Sequence, residues 1–206
     1  MKKRLHGKKA GIAIFVAIFI FSMVNAILSS TVFKNTVVSQ LYFGEALIDA
    51  VFSLILVIFA LKGKDRVFYI LCTAWCAYFV VEQLYSLPVL FTEITNCFST
   101  GEITGMIGNP LHLLSVISII AIGSLLVEYM NDGSIYNKPF NVLCIITVVL
   151  FACLLLLNLY DFFISGRDFA ILVALMNLSR IAMVFCFTFI AYDGAKMQLK
   201  KTNLTK

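Results

Sequence analysis

Three carboxylates and one guanidinium lie within stretches of sequence that are otherwise apolar enough to cross a bilayer. Glu45, Asp49, Glu82 and Arg180 each interrupt a long run of aliphatic and aromatic residues, where a charged side chain costs about 2.5 to 3.5 kcal/mol at the bilayer centre. Ionisable residues at such depth mark either a binding or proton-handling site or a structural ion pair. Glu45 and Asp49 are spaced i, i+4, so both carboxylates share one helical face, with Ser53 one turn further along it. His112, Asn109, Asn177 and Asn25 add groups that donate and accept hydrogen bonds in the same layer.

Arg180 is the deepest of these, about 18 Å from the outer end of its predicted helix at 1.5 Å per residue. A guanidinium there must meet an anion or a water-filled cavity. Asn177 lies one turn outward on roughly the same face, so the two address one pocket opening toward the outside. Glu45 and Asp49 are about 6 and 12 Å below the outer end of their helix, and Glu82 is roughly 22 Å from the inner end of its own. The acids outnumber Arg180, and carboxylates crowded in a low dielectric share protons rather than all ionise. The chemistry expected is an outward-opening, net-acidic pocket for a polar or cationic solute, or for protons. Structural readings stay open beside it. Glu45 can sit in headgroup water, Glu82 and Arg180 can form a pair that sets helix register, His112 can be a core or interface histidine, and the asparagines can bridge helices.

The elements that position these residues follow from composition. The chain is 61% hydrophobic and 13% charged, with a mean hydropathy of +0.98, against roughly 25% charged residues in an average soluble domain. Runs of about 20 apolar residues predict helices near 10–29, 41–61, 67–92, 105–129, 139–160 and 168–192. Stretches such as 142–157 are apolar on every side, which excludes the alternation of a membrane β-barrel. The expected fold class is all-α: a polytopic integral membrane protein, a bundle of six transmembrane helices forming a single domain over residues 1–206. Three prolines and short polar connections leave no room for a separate aqueous domain, which needs at least about 50 residues.

Pro88 is expected to kink or end helix three, because it removes a backbone hydrogen bond. Residues 93–104, rich in Thr, Ser, Asn and Gly, read as the largest outer loop, with Gly108, Asn109 and Pro110 interrupting the start of helix four. Ala13 and Ala17 give helix one a small-residue face suited to close packing. The basic N-terminus, the apolar run over 10–21 and the Val24-Asn25-Ala26 ending also resemble a cleavable signal peptide. The apolar character continues through Ile27 and Leu28, which favours an uncleaved first span.

Of the 16 basic residues, 13 fall at one set of helix ends: Lys2, Lys3, Arg4, Lys8, Lys9, Lys62, Lys64, Arg66, Lys138, Lys196, Lys200, Lys201 and Lys206. The opposite ends carry only Lys34 and Arg167. By the positive-inside rule both termini are expected in the cytoplasm, in a multi-pass protein of the cell membrane. The net charge of +5 therefore reflects topology; the partner it implies is the lipid bilayer, with basic tails near anionic headgroups, and not nucleic acid.

The motifs of familiar membrane chemistry are missing. The six cysteines include no Cys-x-x-Cys pair: Cys72 and Cys76 are one turn apart in helix three, Cys144, Cys153 and Cys186 are scattered, and Cys97 stands alone in the predicted loop. They read as small apolar residues. The only two histidines are His6 in the basic tail and His112, so the paired axial ligands of a membrane haem are lacking. There is no His-Glu-x-x-His, no Gly-x-Ser-x-Gly and no Walker-type loop. No cofactor and no resident metal are expected, and any ATP-driven activity requires a separate ATPase subunit.

The layout of six helices in about 200 residues, with short loops and a small-residue face on helix one, is similar to that of the substrate-binding membrane subunits of energy-coupling-factor vitamin transporters. The resemblance is architectural, and the loops offer no ligand motif to map. Three functional classes remain. First is a small transporter or permease-like subunit, working alone or with other membrane subunits. Second is a sensory, immunity or accessory protein acting through partners. Third is an intramembrane hydrolase, which requires His112 within about 3 Å of a carboxylate, or of a metal shared with one.

Overall fold

In a lipid interior the backbone must satisfy its own hydrogen bonds, so apolar runs of this length fold as helices. The computed structural model describes residues 2–32, 37–63, 65–101, 103–132 and 137–202. They form six helices: α1 (Lys2–Thr31), α2 (Val37–Leu61), α3 (Asp65–Thr100), α4 (Ile103–Asp132), α5 (Asn137–Phe163) and α6 (Ala170–Thr202). Each contains a segment long and apolar enough to span a membrane. Short connections make successive helices antiparallel, which places both ends of the chain at one end of the bundle, here the terminal end, opposite a distal end. Lys34, Lys64 and Lys206 lie outside the described residues, as do the side chains of Lys2, Lys3, Arg4, Lys8, Lys9, Arg66, Lys138, Lys196, Lys200 and Lys201.

Several expected boundaries move outward. Residues 93–100, predicted as loop, continue α3, which runs through Pro88 to Thr100. The hydroxyls that suggested a loop bond back to the helix instead. Thr95 Oγ1 donates to the Phe91 carbonyl at 2.9 Å and Ser99 Oγ to that of Asn96 at 2.7 Å, as Thr92 Oγ1, at the end of the predicted helix, does to Pro88 at 3.0 Å. The helix ends where Gly101 takes a φ of +73° and its N–H reaches the Cys97 carbonyl at 3.0 Å, a cap that a residue with a Cβ rarely forms. Helix four is likewise uninterrupted at Gly108, Asn109 and Pro110, where the missing Pro N–H forfeits one bond and the turns on either side retain theirs. The terminal turns of α1 and α6 extend past the apolar runs to Lys2 and Thr202.

The helices close a ring in chain order, α1 packing on both α2 and α6, and α6 also reaches across to α3 and α4. The spanning segment of α6 is 56% buried, against 33% at most for any other. It is the central helix, and a polar residue on it is held among protein groups. The half of the bundle nearer the termini is an apolar plug containing Phe15, Leu56, Phe68, Phe140 and Phe187 around the single tryptophan, Trp75. Trp75 stacks on Phe52 at 6.1 Å and 3°. Cys72, Cys76, Cys144 and Cys186 pack within this plug. On α1 the buried face carries Gly11, Phe15, Ile18, Ser22, Asn25 and Ala26, while Ala13 of the expected small-residue face is exposed. Outward, Ile20, Val51, Ile70, Val81, Ile145 and Leu156 are exposed, an apolar belt of the kind that lipid solvates.

Candidate functional site

The plug leaves the distal half of the bundle to the polar residues, and there two cavities meet at Arg180. The larger, about 400 Å³, lies between α3, α4, α5 and α6. Exposed Glu93 and Asn96 of α3 and Arg167 of the α5–α6 turn stand at its mouth, Asn109 and His112 of α4 and Asn158 and Asp161 of α5 along its sides, and Asn177 and Arg180 of α6 at its floor. Glu93 and Asp161 face Arg167 and the Arg180 that this cavity shares with its neighbour, and four asparagine amides offer donors and acceptors. The α5–α6 turn is built to place Arg167. Gly166 takes a φ of +65°, the Arg167 N–H donates to the Asp161 carbonyl at 3.0 Å, and its Nη1 lies 4.0 Å from Asp161 Oδ2. Asn109 Nδ2 donates to Cys97 Sγ at 3.2 Å, tying α4 to α3 beside the mouth. Cys97, expected in a loop, is thus a helical residue on the cavity wall.

The smaller cavity, about 20 Å³, lies on the other side of Arg180, between α1, α2, α3 and α6. Glu45, Asp49 and Glu82 contribute to its lining together with Ser22 and Asn25 of α1 and Ser179 of α6. Arg180 stands between the compartments. Its Nη2 lies 3.6 Å from Glu82 Oε1, and its Nη1 donates to His112 Nε2 at 3.4 Å. A guanidinium only donates, so Nε2 acts as an acceptor. Gln83 Nε2 donates to the same Glu82 oxygen at 3.4 Å, and Trp75 Nε1 donates to Asp49 Oδ1 at 3.4 Å. The arrangement holds Glu82 between two donors and Asp49 against the plug's tryptophan.

Of the residues singled out from the sequence, Glu82, Arg180 and His112 form one chain of contacts. Asn109 and Asn177 share the larger cavity with His112, and Glu45 and Asp49 share the smaller one with Glu82. The single acidic pocket of the sequence reading is two compartments that share Arg180, with three carboxylates on the smaller and two on the larger. His112 Nε2 is engaged by Arg180 rather than by the carboxylate the hydrolase reading asks for.

No protein-family model, curated protein or solved structure matches the chain. The likeness to vitamin-transporter subunits is therefore one of helix number and length.

Asn158, Asp161, Arg167, Glu93 and Ser22 line the candidate site and Trp75 bonds to its Asp49, though the sequence reading passed over them there. For Asn158 and Asp161 a signal existed. They are spaced i, i+3 at the end of a run that is otherwise apolar, much as Asn177 and Arg180 are. Trp75 and Ser22 carried none, since an aromatic or a serine inside an apolar span is ordinary, and only contact distinguishes them.

Proposed function

We propose that this chain is a small multi-pass transporter or permease-like subunit of the cell membrane. Both termini lie in the cytoplasm, and the larger cavity faces the outside. Its ligand is a small polar solute, neutral or zwitterionic, because the cavity pairs both signs of charge with amides. The cationic part of the sequence reading belongs to the smaller chamber, where the acids are in excess.

The observation that carries this reading is the position of Arg180. It lies ten residues into α6, about 15 Å along the helix, at the floor of a surface-reaching cavity, and contacts two further helices. A charge kept at that depth beside a cavity supports a solute path, and binding near the midplane between helices is the common arrangement of transporters. The absence of a nucleotide-binding motif points to a separate subunit if the work is ATP-driven.

The test is uptake into proteoliposomes of labelled zwitterionic amino acids, neutral polyols and polyamines. The first two classes are expected to compete for one saturable site that Asn177→Leu closes. Uptake confined to polyamines, or unchanged by Asn177→Leu, would refute the assignment of the larger cavity.

A further inference from the structure

The smaller chamber has features that the solute reading does not use. Ser22, 1% exposed, has a hydroxyl with no hydrogen-bond partner, and Glu45 Oε2 is buried and equally without one. Both residues line the same cavity of about 20 Å³, which is room for one water-sized occupant. A buried polar atom left unmatched costs about 1 to 3 kcal/mol, so two orphaned oxygens around one space call for a common partner.

Charge and ligand type select that partner. Glu45, Asp49 and Glu82 face a single guanidinium in this chamber, and Arg180 directs its Nη2 to Glu82 and its Nη1 to His112 on the far side. Asp49 Oδ1 has the Trp75 indole, but Glu45 Oε2 has no donor. A species that brings positive charge offsets whatever part of this excess is left after the crowded carboxylates share protons, whereas a neutral one leaves it unchanged. Among the described residues no three His, Cys, Asp or Glu side chains converge around a metal ion, so an ion held here must draw on hydroxyl and amide oxygens as well. The oxygens available are mixed, from hydroxyl, amide and carboxylate groups, all of them hard donors.

We propose that the chamber between Ser22, Asn25, Glu45 and Asp49 is a binding site for one sodium ion, with Ser22 Oγ and Glu45 Oε2 among its ligands. The site draws on α1 and α2 and is separated from the solute cavity by Arg180, so an ion there ties those two helices to each other. The inference does not rest on the solute reading, because occupancy can be measured with no solute present.

Trp75 supplies the readout, being the only tryptophan and bonded to Asp49 on the chamber wall. The purified full-length protein, in detergent with choline chloride, is titrated with NaCl at constant ionic strength, and in parallel with KCl, while Trp75 emission and the melting temperature are followed. A saturable sodium response at least tenfold weaker for potassium is expected. Ser22→Ala should weaken it about tenfold, and Glu45→Gln should abolish it. If the Glu45 variant does not fold, the wild-type ion comparison and the Ser22 variant decide the matter. Equal responses to sodium, potassium and choline, an unchanged response in Ser22→Ala, or no response at all, as for a chamber holding water, would overturn the proposal. Any of these results would leave the uptake experiment on the larger cavity standing.

Discussion

The Arg180 guanidinium lies 3.6 Å from the Glu82 carboxylate across the α6–α3 interface, with only 13% and 23% of the two side chains exposed. In that setting the pair is coupled more tightly than its separation suggests, because both charges are largely withdrawn from water and the Glu82 carboxylate lies on the side away from the larger cavity. The same guanidinium also meets His112, so one side chain joins α6 to α3 and to α4.

Arg180→Met strands Glu82 and is expected to destabilise the protein by about 3 to 5 kcal/mol, the loss typical of one partner taken from a buried pair. The double variant Glu82→Leu/Arg180→Met removes both charges and should recover most of that loss. Melting temperatures in detergent give the comparison. A double variant no more stable than Arg180→Met would show that the two charges are not coupled.

Trp75 reports on Asp49. Asp49→Asn keeps an acceptor oxygen for the indole N–H and should leave the emission maximum near that of the wild type, whereas Asp49→Leu removes the acceptor and should shift it to the blue. The indole bond at 3.4 Å predicts a difference between the two variants, and identical spectra would contradict it. Trp75→Phe should cost about 1 to 3 kcal/mol through the acceptor it leaves unmatched.

Gly123 sets the approach of α4 to α3. A Cβ there would stand 3.0 Å from Val80 Cγ2, and a β-branched side chain has little freedom to turn away. Gly123→Ala should therefore destabilise by about 1 to 3 kcal/mol, and Val80→Ala in the same chain should return much of it. Thermal unfolding of the single and double variants measures the rescue, and additive losses would show that the two sites do not touch.

Cys97 tests orientation and access together. A variant keeping only this cysteine should react with a membrane-impermeant maleimide added to intact cells, since the thiol lies on the wall of the larger cavity near its mouth. A Cys186-only variant, buried in the plug, should stay unlabelled until the protein is denatured. Labelling of Cys97 only after the cells are opened would reverse the proposed topology.

The spans were legible in residue types because lipid solvation acts on each residue separately: a run such as 142–157 is apolar whatever it packs against. The depth of Glu45, Asp49, Glu82 and Arg180 followed from their places in those runs at a fixed rise per residue. Local chemistry was less legible. Thr95 and Ser99 look like loop residues by polarity, yet each returns its hydroxyl to its own helix, an option that composition does not reveal. The partition into two chambers had no trace in the sequence. It arises because α6 is inserted against α3 and α4 with Arg180 turned toward both, joining it to His112, 68 positions away in the chain, and to the still more distant Glu82. Helix formation is decided within a span by the backbone and the solvent around it, whereas the rotation of one helix against its several neighbours depends on packing among all of them at once.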